Sequence, residues 1–146
     1  MKGFILDKND EDYLKSYELK EMDKEINSKY EFDNITIANP KNSNSIYIIK
    51  NIFVKSENKN FYLRIGSGNR EFSFEEKNMK FLFFNDVIEE KEYIHLASIN
   101  NNEKKRVEML PNKCIILLPK GFLNIKVDKP INNINIKILW KEEKIE

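Results

Sequence analysis

The chain has 146 residues, and its 25 Lys and Arg against 24 Asp and Glu give a formal net charge of +1. This length is typical of one domain whose core needs no disulfide or metal ion, and the near-neutral charge argues against a general nucleic-acid binder. With one cysteine, Cys114, and one histidine, His95, the chain cannot form an intrachain disulfide or a histidine-rich metal site. The 20 Asn, 20 Ile and 22 Lys reflect the bias of an AT-rich coding sequence.

The first 33 residues carry a net charge of −4, and residues 34–146 carry +5. This asymmetry predicts an acidic N-terminal arm, 1–33, followed by a mildly basic body. Residues 3–6 form a predicted short strand. One irregular helix, or two short ones, is predicted over 10–27, because apolar residues recur there at helical spacing after the N-cap candidate Asp10: Tyr13, Leu14, Tyr17, Leu19, Met22 and Ile26.

From residue 35 onward the sequence is typical of β-structure. A strand over 35–38 closes at the turn dipeptide Asn39-Pro40. Residues 45–56 form a long predicted strand whose apolar positions change parity at Lys50-Asn51, which predicts a β-bulge or a bend between two sheets. Further strands are predicted at 61–65, 71–74, 80–84, 93–99, 107–110, 114–118, 122–128 and 134–140, with a hairpin turn at 66–69 and breaks at Pro111 and Pro130.

About eight to ten strands is the number found in an antiparallel β-sandwich or jelly roll, so the predicted fold class is mainly β with a short helical N-terminal arm. We expect residues 34–146 to fold as a β-sandwich domain without residues 1–33, because the arm contributes few of the alternating apolar positions. No apolar run reaches the length of a secretory signal or a membrane-spanning helix, which predicts synthesis in a reducing cytosol and no membrane partner.

The sequence contains no recognisable catalytic motif. The glycines of the turn at 66–69 lack the third glycine of a dinucleotide-binding loop, since Glu71 stands in its place. His95 lies in an alternating strand and Cys114 opens an apolar run, so we interpret both as structural residues. We therefore predict that the protein is not an enzyme and has no catalytic residue, no metal site and no cofactor. The basic tip, Lys104-Lys105-Arg106, is interpreted as solvated hairpin charge rather than a nucleic-acid site.

The acidic and aromatic clusters also receive structural interpretations. Paired carboxylates such as Glu142-Glu143 are predicted to be solvated charge of loops or strand ends. Trp140 is predicted to lie in the core, with sugar stacking as the lesser alternative. Consecutive apolar residues on a strand point to both of its faces. Phe81 and Phe83, in the dense aromatic run at 81–84, therefore lie either in the interior or at a subunit interface.

Two stretches resemble small structural proteins of tailed bacteriophages. One is the strand, Asn39-Pro40 loop and second strand over 37–54. The other is 117–127, where Pro119-Lys120-Gly121 turns into a strand, followed by a closing strand over 135–143 that ends in tryptophan and mixed charge. Proteins of that group are β-sandwich or jelly-roll components of heads, head fibres, necks and tails. The resemblance implies a non-enzymatic virion protein that assembles as a homo-oligomer, with copies of itself and other virion proteins as partners and the virion as its location.

The arm is the predicted docking element of such an assembly. Phe4, Ile5 and Leu6 are its predicted interface residues, and Phe81 and Phe83 are the predicted interface residues of the body. The strand at 3–6 is expected to add to the exposed edge of a sheet, and the opposite charges of arm and body are expected to attract within one subunit or between neighbours.

A binding module for a host-surface glycan or protein is the alternative function. In that case aromatic residues such as Tyr62, Phe72 and Phe74 would be presented outward, and a host receptor would be the partner. An enzyme with an unfamiliar site ranks below both hypotheses, because the sequence offers no set of residues to build one.

Overall fold

The computed structural model describes residues 3–7, 19–40, 42–56, 60–66, 80–84, 93–100, 106–109 and 111–145. Nine strands occupy most of these residues, and none of them is helical. The strands are β1 (Gly3–Asp7), β2 (Lys20–Ala38), β3 (Ser45–Lys55), β4 (Asn60–Gly66), β5 (Lys80–Phe84), β6 (Tyr93–Asn100), β7 (Val107–Glu108), β8 (Lys113–Leu117) and β9 (Phe122–Lys144). The prediction of a mainly β protein is confirmed for this part of the chain.

The longest strand, β9, organises the sheet, and every pairing between the described strands is antiparallel. One edge of β9 pairs with β2, from Trp140 opposite Lys20 to Phe122 opposite Ala38. The other edge pairs with β4 along 123–127 and with β3 along 135–144. The two halves of β9 therefore hold different strands on one edge while sharing β2 on the other.

The sheet continues outward from β9 in the order β1-β8-β3-β9-β2-β5. Strand β6 adds to β4, and the two-residue strand β7 adds to β3. Among the described residues, β1 pairs only with β8 and β5 pairs only with β2, so these two strands form the ends of the path. An edge strand keeps one row of backbone N–H and C=O groups available for pairing with another chain.

One core takes side chains from both halves of β9. On the second half, Ile134, Ile136 and Ile138 are buried at every second position, as a strand with one face toward a core requires. Leu123 and Ile125 of the first half belong to the same buried cluster. Residues of β2, β3, β4 and β8 complete this cluster, so a continuous apolar core joins the long strands.

The irregularity predicted in β3 is confirmed. Tyr47 and Ile49 are buried at odd positions, and Ile52 and Val54 are buried at even positions. The register between β3 and β9 shifts between Ile49 and Asn51, as a β-bulge produces. The bulge returns Ile52 and Val54 to the core face. Without it, the regular alternation would turn both side chains to the opposite face.

The break predicted at Pro130 is wrong, since β9 runs through this residue as one strand. Pro130 is exposed and does not belong to the residues that β2, β3 and β4 pair in register. A proline costs a strand the ladder hydrogen bond that its missing N–H would donate. Because the registers skip this position, the strand loses no such bond and continues.

The helix predicted over 10–27 is wrong from Lys20 onward, where β2 begins, and residues 10–18 lie outside the described part. Met22 and Ile26 are four residues apart, a spacing that puts two residues on one face of a strand as well as one face of a helix. The apolar pattern could not separate the two structures. Pairing with β9 along this segment favours the strand, because it satisfies the backbone groups and buries Ile26.

The division of the chain at residue 34 stays a prediction, but β2 crosses it without interruption. Ile26 and Phe32, on the N-terminal side, are 3% and 1% exposed and belong to the core. In the part of the chain that the structure describes, three ion pairs join acids of the arm to bases of the body: Glu21 with Lys137, Asp23 with Arg106, and Asp33 with Lys126. The acidic arm thus contributes a central strand as well as charge.

The remaining predicted strands lie close to their predicted bounds in β4, β5, β6 and β8. Strand β7 covers only the first two residues of the strand predicted over 107–110, and Leu110 lies outside the described residues. The strand predicted at 71–74 lies outside the described residues. So do positions 67–69 of the predicted hairpin turn and the first two residues of the basic tip, Lys104 and Lys105. Among the described residues, β4 pairs with β6 and β9.

Two turns contact each other where β2 ends and β9 begins. The Asn39 N–H donates to the Gly121 carbonyl, and the Lys120 N–H donates to the Asn39 carbonyl, both at 2.9 Å. The Gly121 N–H donates to the Leu118 carbonyl at 2.7 Å and closes a β-turn that contains Pro119. The turn predicted from the Pro-Lys-Gly sequence is therefore confirmed.

Lys120 has a φ of 74°, in the left-handed region that disfavours residues with a β-carbon. Proline before a residue with positive φ is the pattern of a type II turn, whose third position favours glycine. We expect Lys120→Gly to raise the free energy of unfolding by about 0.5–1 kcal/mol, because relief of strain exceeds the added entropy of the unfolded chain. Urea denaturation measures this, with Lys120→Ala as the control that keeps the β-carbon. A glycine variant no more stable than the alanine variant would contradict the strain at Lys120.

Candidate functional site

Strand β1 places the three docking residues predicted in the arm at an edge of the sheet. Phe4, Ile5 and Leu6 are 44%, 38% and 37% exposed, and they are three of the five exposed large apolar side chains in the described part of the chain. Strand β1 pairs with β8 of its own chain, with Gly3 opposite Leu117. The predicted strand is confirmed, and its apolar side chains remain accessible after it has joined the sheet.

Strand β1 borders a second apolar cluster, on the face of the sheet opposite the core. This outer apolar patch consists of Ile46 and Ile48 of β3 with Cys114 and Ile116 of β8. Phe4 stands opposite Ile116 in register and Leu6 stands opposite Cys114. Because directly paired residues of antiparallel strands share a face, Phe4 and Leu6 lie on the same face as this cluster, in which Ile48 and Cys114 are themselves buried.

Gly3 determines how closely β1 approaches the body. A β-carbon at this position would overlap the Cγ2 methyl of Ile65 and would lie 3.3 Å from Cδ2 of Leu117. Ile65 is buried and β-branched, so its side chain has little freedom to move away. Only glycine fits this meeting of β1, β4 and β8.

We expect Gly3→Ala to weaken the packing of β1 against β4 and β8 of its own chain by about 1–3 kcal/mol, the usual cost of overpacking a close contact. Amide hydrogen exchange, followed by mass spectrometry, should show faster exchange in β1 and along the edge of β8, while the interior of β9 keeps its protection. Unchanged exchange in β1 would show that the contact with Ile65 does not hold this strand in place.

Strand β5 carries the other two predicted interface residues. Phe81 and Phe83 stand opposite Ile37 and Ile35 of β2 in register. Strand β5 lies at the end of the strand path opposite β1, so all five predicted interface residues belong to the two terminal strands. The choice between the interior and an interface for the two phenylalanines stays a prediction.

The two residues that sequence analysis singled out as lone reactive groups lie on strands β6 and β8. His95 is in β6, opposite Arg64 of β4 in register. Cys114 in β8 is buried and forms no disulfide, which confirms its interpretation as a small buried hydrophobic residue. Within the described ranges, no three His, Cys, Asp or Glu residues converge as a metal site. Those ranges also provide no helix of the length and apolar character that a membrane span requires.

Trp140 is a core residue, as predicted. Its indole is 7% exposed and meets the ring of Tyr47 edge to face, with 4.9 Å between centroids, while the Lys20 Nζ lies 5.0 Å from the indole centroid. Burial, and then the nearby charge of Glu142, raise the pKa of Tyr47 to about 12. In the described part of the chain, the indole Nε1 is the one buried polar side-chain atom without a hydrogen-bond partner.

A polar cluster beside Trp140 holds Glu142, which lies near the end of β9, as predicted, and is only partly solvated. Ser45 Oγ donates to Glu142 Oε1 at 2.6 Å, and the Nζ atoms of Lys20 and Lys144 lie 2.9 and 3.1 Å from its two oxygens. The Ser45 hydrogen bond lowers the pKa of Glu142 most, burial opposes this, and the lysines lower it further, to about 2. Sequence reasoning missed the cluster because Ser45 and Lys20 are distant in sequence from the carboxylate.

The protein should lose stability in acid as Glu142 takes up a proton. Because the pKa of Glu142 is lower in the folded state than its ordinary 4.5, its contribution is complete above about pH 4.5 and disappears as the pH falls toward 2. Exposure of the lysine partners limits this contribution to about 1–2 kcal/mol. Glu142→Gln should therefore be less stable than the parent at neutral pH and nearly equal to it near pH 2, by urea denaturation. A difference that stays the same across this range would contradict the role of Glu142.

A second buried polar cluster joins β2, β4 and β9, and no sequence motif predicted it. The Arg64 guanidinium donates to Asn124 Oδ1 at 3.1 Å and to Asn34 Oδ1 at 3.3 Å. The Asn124 amide donates to Thr36 Oγ1 at 3.2 Å. Asn34, Thr36 and Asn124 are fully buried. Such mutual hydrogen bonding is typical of a network that fixes the register of neighbouring strands.

The sequence matches no protein-family model, and a search of curated proteins finds no match. The resemblance to structural proteins of tailed bacteriophages therefore stays a prediction. Of the aromatic residues in the alternative binding surface, Tyr62 is half-buried on β4, and Phe72 and Phe74 lie outside the described residues. The exposed apolar edge at β1 is the surface from which a function can be inferred.

Proposed function

We propose that the protein is a non-enzymatic assembly protein that docks to its neighbours through the edge strand β1. The observation that carries this proposal is the run of Phe4, Ile5 and Leu6, each more than a third exposed on a strand that pairs on one side only among the described residues. Natural proteins protect such edges with charges, prolines or bulges. Strand β1 has none of these between Phe4 and Leu6.

We infer that the sheet folds over on itself as a sandwich, which holds β1 on a rigid body. One half of the sheet holds β1, β8, β3 and residues 135–144 of β9, and the other half holds β4 and residues 123–127 of β9. Strand β2 pairs with both halves of β9. Gly3, at the edge of one half, lies against Ile65 of β4 in the other half. The single core shared by both halves supports face-to-face packing of this kind. A rigid body presents an apolar edge in a fixed direction, which favours assembly by shape.

The assembly that we propose is the virion of a tailed bacteriophage, where the protein contacts copies of itself and other virion proteins after synthesis in the host cytoplasm. The support is the resemblance of 37–54, 117–127 and 135–143 to structural components of such particles. A chain with a single, buried cysteine is also suited to folding in a reducing cytosol before assembly.

The size of the apolar edge favours many weak contacts over one strong contact. Complete burial of three side chains such as Phe4, Ile5 and Leu6 contributes roughly 5–8 kcal/mol before ordering costs. Roughly two-fifths of each side chain is still exposed, so covering the rest contributes about 2–3 kcal/mol. A contact of this strength is useful when it is repeated across many subunits, because linked contacts reinforce one another.

The test of this proposal is self-association measured by light scattering over a range of protein concentrations. The full chain should increase in mass with concentration, whereas a Phe4→Thr/Leu6→Thr variant should stay monomeric, because threonine keeps the strand preference but removes apolar surface. Tyr30→Thr is the matched control, since Tyr30 is 77% exposed on β2, away from the edge. Circular dichroism verifies that each variant keeps its β-structure.

Association of the Phe4→Thr/Leu6→Thr variant at the level of the parent would overturn docking through β1, and so would a parent chain that stays monomeric throughout. Loss of association in this variant but not in Tyr30→Thr would support the proposal.

A further inference from the structure

We propose that β1 docks onto β1 of a second copy, antiparallel and with Ile5 opposite Ile5. This inference rests on the proposed function and names the partner of that surface.

Symmetry limits the registers of such a contact. Two identical edge strands that pair antiparallel are related by a two-fold axis perpendicular to the sheet, and paired residues then share a face. A residue can therefore pair only with a residue of the same parity in the second copy. Centring the pair on Ile5 uses all five residues of β1, whereas centring it on Phe4 or Leu6 leaves residues at the end of each strand without a partner in β1.

Charge and side-chain type favour the same register. With Ile5 at the centre, Phe4 of each copy stands opposite Leu6 of the other. Asp7, the one charged residue of β1, then stands opposite Gly3. No like charges meet across the strands, and all three exposed apolar residues meet apolar partners. Centring on Leu6 would instead set Asp7 against Ile5, which pairs a carboxylate with an apolar side chain.

On each copy, the contact would lie beside the outer apolar patch. Phe4 and Leu6 of both copies would lie side by side on the face that carries the outer apolar patch of Ile46, Ile48, Cys114 and Ile116. A five-residue strand is only about 17 Å long. Two strands of this length bury less surface area than the roughly 1,200 Å² that stable complexes bury. We therefore expect a weak dimer in dilute solution, which covalent trapping can capture.

Cysteine trapping tests the register directly. In a Cys114→Ala background, Ile5→Cys should give a disulfide-linked dimer under mild oxidation, because directly opposed residues of antiparallel strands have Cα atoms about 4.5–5.5 Å apart, within the range that a disulfide spans. Phe4→Cys in the same background is the matched control. Its introduced thiols would face Leu6 of the other copy, and we expect dimer formation at least about tenfold slower.

Combining Phe4→Cys with Leu6→Cys in the Cys114→Ala background should restore rapid dimer formation, since position 4 of one copy then faces position 6 of the other. Equal trapping at positions 4 and 5, or faster trapping at position 4, would overturn the register. A separate variant, Leu6→Cys with Cys114 retained, should form an intrachain disulfide, because these two positions are opposite each other in β1 and β8. An interchain disulfide in that variant would mean that β1 is exchanged between copies and would overturn the inference.

The failure of this inference is distinguishable from that of the proposed function. If Ile5→Cys is not trapped but Phe4→Thr/Leu6→Thr still abolishes association, β1 docks on another surface and only the inference is overturned. If neither result appears, both are overturned.

Discussion

A chain that begins at residue 34 should fail to fold. It would lack most of β2, including the buried side chains of Ile26 and Phe32, and β9 would lose its partner on one edge along 133–140, while β3 remains on the other edge. Truncation of one buried isoleucine or phenylalanine to alanine costs about 2–5 kcal/mol, and the whole stability of a domain is about 5–15 kcal/mol. Losing two such side chains together with a row of strand hydrogen bonds exceeds what the remaining core can offset.

Circular dichroism and thermal denaturation of residues 34–146 measure this result, and we expect a disordered spectrum without a cooperative transition. Deletion of residues 1–8 is the matched control, because it removes β1 but leaves all of β2 in place. That shorter deletion should keep a β spectrum and a cooperative transition. A cooperative transition in residues 34–146 would restore the division of the chain predicted from its charge.

Asn39→Ala should lower the free energy of unfolding by about 3–5 kcal/mol. The buried Asn39 amide donates to the carbonyl oxygens of Ser45 and Leu117, both at 2.9 Å, and its Oδ1 accepts from Ser43 Oγ at 2.5 Å. Alanine would remove all three hydrogen bonds from a buried site, where a polar group that loses its partner costs about 1–3 kcal/mol. Ser43 Oγ would keep a hydrogen bond of 3.4 Å to the Ser45 carbonyl, whereas the Leu117 carbonyl would lose the amide. The side chain therefore joins the end of β2 to β3 and β8.

Chemical denaturation of Asn39→Ala measures this effect, with the exposed neighbour Asn42 as the matched control. Asn42→Ala should change stability by less than about 0.5 kcal/mol. If the two alanine variants had similar stability, the bridge made by Asn39 would be unimportant and the turn alone would position these strands.

The strands that sequence analysis predicted share a local signal. In β3 and β9, apolar residues alternate, and the parity change at Lys50-Asn51 marks the bulge. Met22 and Ile26 lacked such a signal, because a spacing of four is compatible with a helix and with a strand. These two residues form a strand because they pair with β9, whose paired residues lie more than a hundred positions away along the chain. No local sequence pattern reveals this pairing.

The part of the candidate site that lies within one short segment could be predicted from the sequence, and the part that depends on long-range packing could not. The apolar run of Phe4, Ile5 and Leu6 between Gly3 and Asp7 is visible in the sequence, so the docking residues could be proposed before the fold was known. Their partner strand β8, and the glycine contact at Ile65, depend on long-range packing. Likewise, Asn39-Pro40 predicted a turn, but the side-chain bridge from Asn39 to the carbonyl of Leu117 links residues far apart in sequence.

The central claim is that the outer edge of β1 is covered when copies of the protein meet. Amide hydrogen exchange of residues 3–7, followed over a range of protein concentrations, measures this coverage directly. We predict that exchange in β1 slows as concentration rises, that exchange in β4 does not change, and that Phe4→Thr/Leu6→Thr removes the dependence on concentration. Exchange in β1 that stays the same from dilute to concentrated protein would contradict the claim.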